Sequence, residues 1–203
     1  MKQPLLLASS SPFRRMILEK LGLPFDCAAP DIDESPLADE TAEQMVLRLA
    51  RLKALALAPN AAGSLIIGSD QTGSLNGQLL GKPHTVERAC QQLRAASGQT
   101  VIFYTGLVLY CTLRQQFWQC CETFEVTFRD LSEAEIAAYV AREQPLNCAG
   151  SFKSEGLGIT LFDSLRGRDP NTLVGLPLIA LNDFLRQAGI NSLTDAPTTL
   201  TQP

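Results

Sequence analysis

Residues 7–15 read LASSSPFRR and gather Ser9, Ser10, Ser11, Arg14 and Arg15 at a predicted strand-to-helix junction. A helix start offers free amide hydrogens and partial positive charge, a setting that favours anions. Serine hydroxyls add short donors, and arginine adds planar, permanently charged donors that match phosphate oxygens. A capped surface helix with solvated arginines explains the same residues as well. The second group is Asp31, Asp33 and Glu34 in PDIDESP. Clustered hard oxygen ligands suit magnesium or manganese, although a solvated acidic loop is the plainer reading. The third feature is Asp70, directly after the apolar run SLIIGS. A carboxylate at a strand tip stands where open α/β sheets place their ligands, and it can take a proton from water or hold a metal-bound one. An Asx turn is its plain alternative.

Lys53 in RLKAL, Lys82 in LLGKP, Lys153 in GSFKSEGLG and Arg168 in GRDPNTLVGLP complete the basic set. Taken singly, each is ordinary surface. His84 is the only histidine and is assigned to a loop. With one histidine and no GxSxG, a serine-hydrolase triad lacks support, and no Walker loop is present. Together the polyanion donors, the acidic group and the candidate base fit metal-assisted cleavage of a nucleotide polyphosphate.

These residues need elements to hold them. Leu5–Ala8 reads as a short buried strand, Ser11 as an N-cap and Pro12 as the first residue of a helix that Gly22 can end, with Met16, Ile17, Leu18 and Leu21 apolar. Residues 25–29 are a possible second strand. Thr41 opens a helix to about Ala58 with Met45, Leu49, Leu52 and Ala56 at helical spacing. Ser64–Ser69 is a buried strand, Asn76-Gly77 a hairpin turn, and Thr85 the cap of a third helix ending near Gly98. Two long strands, about 100–113 and 117–128, precede a capping box at Ser132–Glu135. The last helix covers about Leu176–Gln187, and Asn191–Pro203 forms a polar tail expected to fray. Strands alternating with helices, plus one long hairpin, predict a mixed α/β sheet.

Composition narrows the setting. A net charge of −4 and a pI near 5.1 argue against a broad nucleic-acid footprint. No apolar run reaches membrane-span length and no secretory signal is evident, so a cytoplasmic protein with neither nucleic-acid nor membrane partner is expected. The six cysteines lack CxxC and metal spacing, and are read as reduced, mostly buried thiols.

The motifs SSSPFRR, DIDES, RLKAL, GSD followed by LLGKP, GSFKSEGLG and VGLPL, in this order, resemble the Maf family of nucleoside triphosphate pyrophosphatases from about Leu5 to Leu185. The resemblance implies an inosine-triphosphatase-like α/β fold: a mixed twisted sheet with flanking helices and a deep cleft. It implies a single domain over residues 1–190 in two lobes, with 191–203 as the tail, and a homodimer. The implied reaction converts a nucleoside triphosphate to the monophosphate and pyrophosphate with a divalent cation, magnesium or manganese. Carried over by position, Asp70 is the proton acceptor, Ser9, Arg14, Lys53 and Lys82 bind phosphate, and Glu34 serves the metal. Ser11 and Arg15 extend the phosphate set, with Arg15 in an outer shell because adjacent helical residues diverge by about 100°.

Phe13, Gln71 and Glu155 stand where dTTP- and UTP-cleaving Maf enzymes have arginine, threonine and glutamine, and this resembles the 7-methyl-GTP branch. A methylated guanine carries positive charge, which an aromatic face attracts by about 0.5–2 kcal/mol. An ionised carboxylate only accepts hydrogen bonds, so Glu155 suits guanine's donor edge. The branch commonly has tryptophan at the position of Phe13, a stronger cation–π face. The competing readings are a dTTP/UTP or broad-specificity pyrophosphatase, and a nucleotide-binding regulator of cell division.

Overall fold

In the computed structural model, which describes residues 3–195, a seven-stranded sheet runs in the order β2-β1-β3-β5-β6-β7, with β4 paired to β3. Strands β1 (Leu5–Ala8), β2 (Phe25–Ala28) and β3 (Leu65–Leu75) are mutually parallel where they meet. Strands β4 (Gln78–Leu80), β5 (Thr100–Cys111), β6 (Gln116–Phe128) and β7 (Phe162–Gly167) join antiparallel. The fold is mixed α/β.

Side chains alternate across the sheet. Leu65 and Ile67 of β3 pack with Leu107 and Leu109 of β5 against Ile17 and Leu18 of α1 (Pro12–Glu19) and Leu181 and Leu185 of α6 (Leu178–Gln187). Ile66 and Val108 face the other way, against Ala50 and Ala54 of α2 (Ala42–Leu57). Each such fully buried leucine or isoleucine contributes roughly 1.5–3 kcal/mol of transfer free energy. A second core, around Leu93, Phe103, Phe128 and Ile136, lies under α3 (Val86–Ala96) and α4 (Glu133–Glu143) at the far end of β5 and β6.

Helix α2 rests directly on the sheet. A Cβ at Gly68 would stand 2.1 Å from the Ala50 carbonyl oxygen, and one at Gly106 2.3 Å from that of Val46. Only glycine permits this approach.

Register opens the crevice. Along one edge of β3, β1 pairs with Leu65–Ile67 and β4 with Gly73–Leu75. Residues 68–72 have no strand on that edge, and this notch forms the cleft floor.

Several local readings change. β3 continues through Asp70 to Leu75, so Asp70 lies inside a strand rather than beyond its end; pairing with β5 extends to Ser74 and holds the polar run SDQTGS extended. On α2 the buried stripe is Met45, Val46, Leu49, Ala50, Lys53 and Ala54, while Leu52 and Ala56 face outward. Met16 is 48% exposed, and α1 ends at Glu19, with Gly22 at φ +65° closing the turn after it. Asn76 and Gly77 take positive φ in the β3–β4 turn, as a tight hairpin needs. The short helix α5 (Pro170–Val174), capped by Asp169, and the strand β7 had no counterpart in the sequence reading. Of the six cysteines only Cys111 is buried; Cys27 is exposed and the others are half-buried. Ser192–Asp195 form one helical turn (α7), and the rest of the expected tail, 196–203, lies outside the described residues.

Candidate active site

A cleft of about 800 Å³ opens over the notch. Its floor carries Asp70, Gln71 and Thr72; one wall carries Ser9–Arg14, Glu34 and Lys53, and the other Lys82, His84, Asn147–Ala149, Ser154 and Glu155. Asp70 and Arg14 therefore share one cavity.

The buried ion pair at its base follows from the strand's alternation. Asp70 projects from the same face of β3 as Gly68, which α2 touches, and Lys53 lies one turn along α2 from Ala50. Lys53 Nζ donates to Asp70 Oδ1 at 2.6 Å and meets Glu34 Oε1 at 2.9 Å. Lys53 is 5% and Asp70 6% exposed. Burial pushes the Asp70 carboxyl above its ordinary value, against the pull of Lys53 and Arg14. Burial also raises Glu34, but the hydrogen bond from Lys53 and the nearby Lys82 and Arg14 outweigh it, and Glu34 ends below its ordinary value. Asp70 is thus a stronger base than an ordinary aspartate, and Glu34 a weaker one than an ordinary glutamate.

The serine cradle keeps its donors. Ser9 Oγ accepts from the Ser11 amide at 3.1 Å, and Ser11 Oγ caps α1 by accepting from the Arg14 amide at 3.4 Å. Neither hydroxyl donates to another described residue, so both hydrogens are available to a ligand. Arg14 Nε donates to the Gly175 carbonyl at 2.9 Å, which leaves both terminal nitrogens for the cleft. Burial pulls Arg14 below its ordinary value, opposed by Asp70 and Glu34.

Gly175, at φ +107°, caps α5, and its carbonyl also accepts from Ser69 Oγ at 2.9 Å. Gln71 Nε2 reaches the Thr172 and Leu173 carbonyls at 2.7 and 3.1 Å and Thr105 Oγ1 at 3.0 Å. Gln71 therefore anchors α5 with its amide nitrogen, and only its carbonyl oxygen remains for a ligand. Nothing in the sequence pointed to this clasp, because it joins residues about a hundred positions apart through backbone carbonyls.

Of the remaining predicted residues, Phe13, Lys82 and Glu155 line the cleft, and Ser154 Oγ donates to Glu155 at 3.2 Å. Arg15 does not line it. It projects from the solvent side of α1 and pairs with Glu19 at 3.3 Å, so its expected place in the phosphate set is not supported by its geometry. Within the acidic loop, Asp33 accepts from the Ser35 amide, and only Glu34 turns inward. His84 lies in a loop, as expected, and that loop is part of the cleft wall, as are Asn147 and Cys148, neither of which the sequence marked as a site residue. Lys153 instead binds the Glu143 carbonyl at 2.6 Å, and Arg168 pairs with Glu122 and Asp183.

Among the described residues no group of three or more His, Cys, Asp or Glu is arranged to hold a metal. Glu34 is a hard-oxygen donor on the cleft wall, held there by Lys53. A single such carboxylate fits magnesium, which binds through one or two carboxylates together with substrate phosphates rather than in an all-protein cage.

A family model described as Maf-like protein matches residues 4–188. The chain belongs to this family. Among solved structures, this Maf-like chain is similar to the Staphylococcus aureus Ham1 protein at 16% identity and a TM-score of 0.45, covering 63% of this chain and 73% of that one. It is also similar to a nucleoside-triphosphatase / dITP/XTP pyrophosphatase from Mycobacterium abscessus at 13% identity and a TM-score of 0.42, over 92% and 97% of the two chains. No helix among the described residues is long and apolar enough to cross a membrane.

Proposed function

We propose that the cleft hydrolyses a nucleoside triphosphate to the monophosphate and pyrophosphate, with 7-methyl-GTP as the preferred substrate class. The observation that carries this reading is the buried Asp70 carboxylate, held by Lys53 in the same cavity as Arg14 and the serine cradle. Arg14, Lys82 and the Ser9 and Ser11 hydroxyls bind phosphate oxygens. Asp70 takes a proton from water as that water's oxygen bonds the α-phosphorus and the bond to the bridging oxygen of pyrophosphate breaks. Its raised pKa makes it a stronger base than an exposed aspartate, and Lys53 favours its ionised form against the effect of burial. Glu34 would hold a magnesium or manganese ion together with the substrate phosphates. When bound, that ion supplies charge neutralisation to the phosphates. Most of the acceleration is assigned to positioning and electrostatics, as phosphoryl transfer requires.

Phe13 and Glu155 support the methylguanine preference by offering an aromatic face and an acceptor on the cleft walls. We place the chain in the cytoplasm as a homodimer, without nucleic-acid or membrane partners, on the grounds of composition and family resemblance. The test incubates purified protein and magnesium with 7-methyl-GTP, GTP, UTP and dTTP and identifies the products. Pyrophosphate release fastest with 7-methyl-GTP is the expected result. Release of orthophosphate, or no turnover of any nucleotide, overturns the reading; faster turnover of dTTP and UTP moves the chain to the other branch.

A further inference from the structure

We propose that a second pocket, continuous with the cleft through Lys82, binds the phosphate beyond the third, so that nucleotides with four or more phosphates are substrates of the same site. The inference rests on the pyrophosphatase reading and extends its substrate class. The pocket, about 380 Å³, lies between Gly81–Pro83 and α3, and Gly81 and Lys82 line both it and the cleft. That volume is within the roughly 300–1,000 Å³ of small-molecule sites.

Charge separates the two cavities. In the cleft, Arg14, Lys53 and Lys82 are matched by Glu34, Asp70 and Glu155. The second pocket carries Lys82 and Arg88 and no carboxylate. Among the described residues, the side chains of Lys82, Arg88 and Gln91 have no hydrogen-bond or ion-pair partner. Gln92 is committed otherwise: its Nε2 donates to the Gly81 carbonyl at 3.1 Å while Ser151 donates to its Oε1. This ties the Gly81 segment to α3 and holds the pocket open beside Lys82. A phosphate chain passing Lys82 thus leaves a balanced cleft for a cationic, carboxylate-free pocket with a free guanidinium and a free amide. Arginine's planar fork suits a terminal phosphate.

The chemistry is the step already described. Water bonds the α-phosphorus, Asp70 takes the proton, and a nucleoside 5′-tetraphosphate releases tripolyphosphate in place of pyrophosphate. The experiment compares kcat/KM for a nucleoside 5′-tetraphosphate and the triphosphate of the same base, in the wild-type chain, Arg88→Ala and Arg88→Lys, with tripolyphosphate identified as product. Arg88→Ala should lower the tetraphosphate value about 5–20-fold and the triphosphate value less than about 2-fold, with Arg88→Lys in between. Equal losses for both nucleotides, or no loss for either, overturn the second site. Should the wild-type chain hydrolyse neither, the pyrophosphatase reading fails by itself. Calorimetric binding of inorganic tripolyphosphate then decides the pocket: weaker binding by Arg88→Ala supports it, and unchanged or absent binding removes it.

Discussion

The two walls of the cleft are built on different terms. On the α2 side the charged groups are committed: the buried Lys53 bridges the buried Asp70 to the more exposed Glu34, Arg14 is half-buried and fixed by Gly175, and Gly68 and Gly106 let the helix backbone touch the sheet. On the α3 side Lys82 and Glu155 are exposed, and Glu155 has only the neighbouring Ser154 hydroxyl. Bond-making groups tolerate little displacement, whereas groups that sort substrates can adjust as a ligand enters. Substitutions on the committed wall should therefore reduce rate, and those on the open wall should alter preference.

The largest effect is expected at Asp70. Asp70→Asn keeps the hydrogen bond to Lys53 but loses the base, and turnover should fall about 10²–10⁴-fold with the circular dichroism spectrum unchanged. Near-normal pyrophosphate release by this variant would remove Asp70 from catalysis. The raised pKa adds a pH dependence with a defined sign. Rate should rise with pH as Asp70 ionises, at a pH above the ordinary aspartate value of 3.8. Stability should move the other way. Folding favours the protonated carboxyl, so its contribution is complete below the unfolded value and is lost as pH rises through the folded one. The Tm of the wild type should therefore decline relative to that of Asp70→Asn across this window. A parallel pair of Tm curves would mean that Asp70 is not strained by burial.

The committed wall was also the harder one to read from sequence. Ser11 and Pro12, the Thr41 and Ser132 capping boxes and the Asn76-Gly77 turn are local chemistry, and the helices and hairpin they mark are present. The cationic and acidic site residues were legible by type. Their arrangement was not, because it depends on sheet register: SDQTGS has no apolar alternation and is a strand because β5 pairs along it and β4 pairs with its last two residues. Lys53 was named, but its burial was hidden for a related reason. It occupies the buried stripe of α2, where a periodicity search expects an apolar residue and so selects Leu52 and Ala56 instead. Helix α5 is only five residues long, and its hold on Arg14 runs through a carbonyl that no side-chain motif encodes.

That hold gives the next prediction. Ser69 is fully buried and outside the cleft lining, and its single hydroxyl hydrogen has the Gly106 and Gly175 carbonyls as acceptors, each at 2.9 Å. Ser69→Ala leaves Gly175 held by Arg14 alone among side chains, so kcat/KM should fall about tenfold through a displaced guanidinium, near the loss of one buried hydrogen bond. If Ser69 acts through Arg14, the same substitution should cost nothing further in an Arg14→Ala background. Additive losses would make Ser69 a stability residue only.

The smallest effect belongs to the open wall. Glu155→Gln removes charge from an exposed side chain and leaves the catalytic pair untouched, so kcat with the best substrate should change little. An ionised carboxylate accepts hydrogen bonds, whereas an amide both donates and accepts, so the exchange suits guanine's donor edge less and a uracil edge more. The ratio of kcat/KM for 7-methyl-GTP over UTP should fall about 3–10-fold, the scale of one solvent-exposed polar contact. A constant ratio with a reduced kcat would place Glu155 with the committed groups and erase the division between the walls. A changed ratio at constant kcat shows that exposure on that wall serves selection: a group not yet satisfied in the free protein has its hydrogen bonds to give to whichever base matches it.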